Sequence, residues 1–246
     1  MKDSTNIEFN KVEDVGDEFV LHHHLGLGDS IVCNGLVNYL SKEFKKIYLP
    51  VKGSIFSTIE YLYSENEKVD LFEISNENRE EDIYKFAIDK KIKILRVGYS
   101  NVKDVPFNLA FYKQLNMPYR YTYKYFSLPD GINKEIQLKD HLIKFYKVDP
   151  SNYSVVHNEY QWPGGTFELD KLDKKNSIYV TKESDIFKNI LLYRKLIEDA
   201  KSIHCINGSF LHLVERVNTK AKLYYHHVRK NKLHLGNNWT YVDYED

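Results

Sequence analysis

Apolar positions along the chain fall into two alternating rhythms. "EFVLHHH" (18–24) is a short apolar run of strand type. "DSIVCNGLVNYLSKEF" (29–44) follows, with Val32, Leu36, Tyr39 and Leu40 at helical spacing. "KIYLPV" (46–51), "VDLFEI" (69–74) and "KILRVGY" (93–99) read as further strands. "SIFSTIEYLYSE" (54–65) and "REEDIYKFAIDK" (79–90) read as the helices separating them. "DVPFNLAFYKQLNMP" (104–118) is a short helix stopped by Pro118, and "YRYTYKYFSLPDG" (119–131) a linker or edge strand.

A second set begins after the helix "NKEIQLKDHLIKFYKV" (133–148). Its strands are "YSVVH" (153–157), "SIYVT" (177–181), "SIHCI" (202–206), "KLYYHH" (222–227) and "WTYVDY" (239–244). A loop is expected at 158–166, an amphipathic helix at 185–200 and another helix at 207–217. Strand–helix alternation of this kind predicts α/β architecture with parallel sheets covered by helices on both faces. Two Rossmann-like halves are expected, 1–125 and 126–246, with a ligand cleft between them. At 246 residues each half is long enough to bury a core.

Composition changes this picture little. Lysine plus arginine and aspartate plus glutamate each total 35, so bulk charge gives no reason to expect a nucleic-acid partner. Cys33 and Cys205 form no disulfide framework and no CxxC metal motif, which fits a reducing, cytoplasmic setting. The opening "MKDSTNIEFNKVEDVGDE" lacks the pattern of a signal peptide. No run approaches the ~18 apolar residues of a membrane span, although peripheral membrane contact stays open.

The chemistry concentrates in two turns. In "LHHHLGLGDSIVCNG" (21–35), G-x-G is followed by isoleucine where a dinucleotide fingerprint needs its third glycine. The second strand also ends without the ribose-binding acid, and no P-loop run exists. Of His22, His23 and His24, only His22 and His24 would share one side of a strand, so a metal site is not expected. Gly28 could simply supply a turn conformation, with Asp29 or Ser30 capping the helix. Yet the loop closes the first strand of a parallel sheet, the edge where such sheets bind ligands, and a carboxylate there can accept a proton. "KSIHCINGSFLHLVERV" (201–217) repeats the form: a strand, the turn Asn207-Gly208-Ser209, then a helix start suited either to a phosphate or to a plain cap.

Taken together, these two stretches resemble the GT-B glycosyltransferases, in particular the heptosyltransferase-like group and, for the serine–phenylalanine pair at 209–210, the fucosyltransferase-like proteins. The resemblance covers about 40 residues. It implies that Asp29 is the base that deprotonates an acceptor hydroxyl, with His24, Gly26, Gly28 and Asn34 on the acceptor side. It implies that Asn207, Gly208, Ser209 and His212 face the diphosphate of a nucleotide-sugar donor. His157, His226 and Arg229 lie at neighbouring strand ends of the second half and join that donor set, Arg229 for its planar donor fork. Where the family carries a lysine, this chain offers His157, Glu159 and Tyr160, so heptose is not implied. No DxD run occurs, and the implied transfer is metal-independent, with no cofactor beyond the nucleotide sugar and a glycan, glycolipid or other hydroxyl compound as acceptor. Two other readings compete. One is a non-catalytic α/β binding protein or degenerate partner subunit. The other is an NAD- or S-adenosylmethionine-dependent enzyme built on one Rossmann half.

Overall fold

The computed structural model describes residues 7–100, 102–160, 164–169, 172, 174–228, 233–236 and 238–244. They form two compact units, Met1–Pro129 with Lys232–His234, and Asp130–Asn231 with Leu235–Asp246. Each is built on a five-stranded parallel sheet with helices, the α/β architecture the alternation predicts.

In the first unit the strands are β1 (Glu8–Phe9), β2 (Glu18–His22), β3 (Lys46–Lys52), β4 (Val69–Ile74) and β5 (Lys93–Arg96). Their order in the sheet is β1-β5-β2-β3-β4. β2 is central, and its Phe19, Val20 and Leu21 are completely buried, as a strand covered on both faces requires. Pro50 lies inside β3, where a missing N–H would normally break the ladder. It is tolerated because β2 pairs only with Lys46 to Tyr48, so at Pro50 the strand has β4 alone as neighbour. The helices are α1 (Leu27–Glu43), α2 (Phe56–Tyr63), α3 (Arg79–Lys90), α4 (Phe107–Gln114) and α5 (Tyr121–Lys124).

The segment expected as a linker or edge strand therefore contains a short helix, α5. Its every-other-residue tyrosines mimic a strand, but tertiary contacts decide otherwise. Gly35 of α1 leaves room for the α5 backbone: a Cβ there would stand 2.4 Å from the Tyr121 carbonyl oxygen. The Thr122 hydroxyl donates to the Val32 carbonyl at 3.0 Å, as does the Tyr112 hydroxyl at 2.8 Å. Tyr39 is only half-buried and packs on Tyr121 and Tyr125, with ring centroids 4.7 and 5.1 Å away, rather than joining the core with Leu36 and Leu40.

In the second unit, α6 (Ile132–Tyr146) precedes β6 (Ser154–His157). A small antiparallel pair, β7 (Glu159–Tyr160) and β8 (Gly165–Thr166), replaces the expected plain loop. Then come β9 (Ser177–Tyr179), α7 (Arg194–Asp199), β10 (Ser202–Cys205), α8 (Ser209–Val214), β11 (Lys222–His227) and β12 (Trp239–Asp243). The sheet order is β12-β11-β10-β6-β9. The helix expected over 185–200 is shorter than its apolar spacing suggests. Asp185 turns the chain by accepting the Phe187 N–H at 2.9 Å, and Lys188 has φ 50. Asn189 then caps a 3₁₀ turn, Ile190–Tyr193, by accepting the Leu191 N–H at 3.1 Å, and only α7 is α-helical. Polar side chains bonding their own backbone won over periodicity here.

Candidate functional site

Sheet order locates the candidate sites. Counted from β2, the first sheet runs third, second, first, fourth strand, so the order reverses between β2 and β5. In the second sheet it reverses between β6 and β10. Parallel sheets of this kind bind ligands beyond the carboxyl ends of the strands at such reversals.

Beyond β2, the loop carries the histidines and Asp29. Alternation holds through them: His22 and His24 both line a cavity of about 370 Å³, while His23 is buried and its Nδ1 accepts the Leu25 N–H at 3.1 Å. The left-handed residue of the loop is Leu25, with φ 63, and not Gly28, which lies inside the first turn of α1. The helix starts two residues earlier than the sequence suggests. Gly26 is its N-cap, and Asp29 sits in the first turn, reaching back to accept the Gly26 N–H at 3.1 Å. Burial pushes the Asp29 carboxyl above the ordinary aspartate range, and His24, the Gly26 N–H and Lys52 offset this in part. Burial, then Arg79, lower the Lys52 ammonium. Burial and Arg96 hold His22 at about 4, so it is neutral near pH 7.

Asn34 does not belong to the acceptor-side loop. It is completely buried on α1, where its Oδ1 accepts the Ser127 N–H at 2.9 Å and anchors the chain after α5. Residues that sequence reasoning passed over complete the cavity: Tyr99 beyond β5, and Asn76, Arg79 and Glu80 at the start of α3. Arg96 holds Glu8 and Glu80 at 3.1 and 2.7 Å and lies 4.4 Å over the Tyr99 ring. The visible signal was "RVGYS", a glycine–tyrosine pair at a strand end beside the first loop.

At the second reversal, His157 ends β6 while Asn207, Gly208 and Ser209 follow β10, so the structure brings these four residues together. Gly208 is extended, at φ −177, and its lack of a side chain has a packing reason: a Cβ would meet His157 Cε1 at 2.8 Å. The His157 ring lies 5.6 Å from that of Phe210. Burial lowers its pKa to about 4, so it brings hydrogen bonds but no charge near neutral pH.

Two histidines leave the donor set. His212 is inside the core of the second unit, 2% exposed, with burial lowering it to about 3. His226 is completely buried and both ring nitrogens are engaged, Nε2 with His204 Nδ1 at 3.0 Å and Nδ1 with the Tyr244 hydroxyl at 2.6 Å. His204 continues the chain to Ser202, which bonds Ser154 across the neighbouring strand. This polar thread braces the sheet. Arg229 lies outside the described residues. Among the described residues no three His, Cys, Asp or Glu side chains converge as metal ligands. No helix among them is long and apolar enough to cross a membrane.

Fold and strand ends define a two-unit parallel α/β protein with one loop-built candidate site at the reversal point of each sheet. No protein-family model matches the chain, and no curated protein matches it. Among solved structures it is similar to a glycosyl transferase family 9 protein from Veillonella parvula DSM 2008. The TM-score is 0.58 at 8% identity, over 93% of this chain and 87% of that one. The likeness is one of fold, and it spans both units.

Proposed function

We propose that the chain is a glycosyltransferase that moves a sugar from a nucleotide-sugar donor to a hydroxyl acceptor without a metal ion. The observation that carries this reading is the fold shared with a glycosyl transferase over nearly the whole chain. The position of Asp29 gives it a mechanism. The carboxyl stands beyond the central strand of the first sheet, half-buried, with its proton affinity raised toward that of a useful base. The acceptor O–H gives its proton to Asp29 as its oxygen bonds the anomeric carbon. The bond from that carbon to the phosphate oxygen breaks, and the nucleoside diphosphate leaves with the electron pair.

The donor diphosphate is assigned to the turn at Asn207, Gly208 and Ser209, beside His157. Backbone N–H groups and the Ser209 hydroxyl are the donors suited to it. His212 and His226 have no part. Acceptor oxygens and amide donors around the first cavity suit a hydroxyl-rich acceptor. Calorimetric titration of UDP, GDP and ADP with EDTA present tests the donor half directly. One nucleotide binding clearly more tightly than the others, with affinity reduced in Ser209→Ala, supports the assignment. Binding unaffected by Ser209→Ala, or dependent on added metal, contradicts it.

A further inference from the structure

We infer that the cavity beyond β2 holds an uncharged sugar ring of the acceptor, laid against Tyr99 and hydrogen-bonded through a hydroxyl to His22. This deepens the reading of that cavity as the acceptor side and rests on it.

His22 is the residue that points to a ligand. Its side chain lines the cavity and is 1% exposed. Yet its Nε2 has no hydrogen-bond partner among the described residues. Buried nitrogens are normally bonded, and one left open in a cavity wall is a place for a ligand's polar group. Burial and Arg96 hold His22 at about 4, so the ring brings no charge near pH 7. A neutral imidazole nitrogen donates or accepts according to its tautomer, and a hydroxyl answers either. A carboxylate or phosphate only accepts, and an ammonium only donates.

Tyr99 supplies the apolar wall. Its ring lies 5.6 Å from that of His22 and 4.7 Å from that of His24, and the residue is still 42% exposed. Its place is preset by Gln114 at the end of α4. The Gln114 Oε1 accepts the N–H groups of Gly98, Tyr99 and Ser100 at 2.8, 3.1 and 3.2 Å, and its Nε2 donates to the Arg96 carbonyl at 2.5 Å. The Tyr99 hydroxyl donates to the His23 carbonyl at 3.3 Å. A sugar ring has an apolar C–H face to lay on such a wall and hydroxyls at its edge to reach beside it. The cavity, about 370 Å³, falls among small-ligand pockets, which span about 300–1,000 Å³.

The charges around the cavity suit an uncharged guest. Arg96 is held by Glu8 and Glu80 at 3.1 and 2.7 Å. Arg79 shares the lining with Glu77, Glu80 and Glu81. Lys52, at the end of β3, feels the opposite charge of Asp29. Each cation has acids of its own, so a free anion gains little here. A cation fares no better on Tyr99, because Arg96 already lies 4.4 Å over that ring.

Methyl glucoside, methyl galactoside and methyl mannoside, titrated into the full chain without donor, test this through the His22 ring nitrogens in nitrogen-15 NMR. At least one of the three is expected to shift the His22 Nε2 resonance. Tyr99→Ala, a change at the surface, should weaken that binding by about 2- to 10-fold. No shift with any of the three, or binding as strong in Tyr99→Ala, overturns the inference. So does tighter binding at His22 of inorganic phosphate, methyl glucuronide or methyl glucosaminide. Sugar binding at His22 in a chain that transfers nothing would sink the transferase reading alone. Transfer without such binding would sink this inference alone.

Discussion

At the scale of residues, Asp29 has two jobs that one substitution separates. As the helix's first-turn acid it holds the Gly26 N–H, which an asparagine oxygen can also do. As a base it needs a negative charge. Asp29→Asn should therefore leave the melting temperature within a few degrees yet slow transfer by about 100-fold or more. The raised carboxyl pKa sets the sign of the pH dependence: activity falls as pH drops through that raised value, so the acid limb lies above the ordinary aspartate range. His157 makes a different demand. Neutral above about pH 4, it offers at most a neutral hydrogen bond. His157→Phe should weaken nucleotide binding by about 2- to 10-fold, the scale of roughly 0.5–1.5 kcal/mol, with the same ratio at pH 6 and pH 8 in calorimetry. A ratio that grows on acidification would mean that a charged imidazole binds the phosphates.

Period-two alternation made the pairing of His22 with His24 legible in the sequence, and the position of Asp29 was legible from the strand–turn–helix form. The fate of His212 and His226 was not. His212 looks like a helix-start residue, but α8 is so short and so apolar that all of Phe210–Val214 is buried. His226 meets His204 only through the register of β10 and β11, two strands that pair at an offset no local pattern reveals. Tyr99 and Arg79 reach the first site from other elements for the same reason.

At the scale of elements, the contact of α1 with α5 decides whether 119–131 is a helix or an extended linker. Alanine has the better helix propensity by about 1 kcal/mol, and Gly35→Ala would stabilise an isolated helix. Here its Cβ would collide with the backbone of Tyr121 and Thr122, at 2.4 and 3.0 Å. Backbone cannot rotate aside as a side chain can, so the net effect should be a loss of about 1–3 kcal/mol in urea unfolding. Gly35→Ala with unchanged or increased stability would mean that α5 is held by its tyrosines alone. Elements with long, regular apolar spacing, such as β4 and α3, were read from the sequence to the residue. α7 is shorter than the sequence predicts because the spacing of Ile186, Ile190 and Tyr193 looks helical while Asp185 and Asn189 tie the backbone into turns.

Across the whole molecule, buried neutral histidines set the response to acid. His22, His157 and His204 have folded pKa values of about 4, and His23 and His212 about 3. An unfolded chain binds those protons near the ordinary value of about 6.5. The unfolded state therefore gains protons first as pH falls, and stability drops from about pH 6.5 down to about 4. Burial raises Asp29, Asp185 and Glu159, which act in the opposite direction nearer the ordinary carboxylate range. The urea midpoint should be lower at pH 5 than at pH 7; a higher one would show that the carboxylates dominate.

The most direct test of the transferase reading is acceptor-dependent nucleotide release, measured across UDP-, GDP- and ADP-linked sugars with a mixed panel of glycan acceptors and EDTA present, for the wild type and for Asp29→Asn. A glycosyltransferase using Asp29 as its base releases nucleotide from at least one donor, faster with an acceptor, and loses about 100-fold or more of that rate in the variant. Release from no donor, or equal rates for the two proteins, contradicts it.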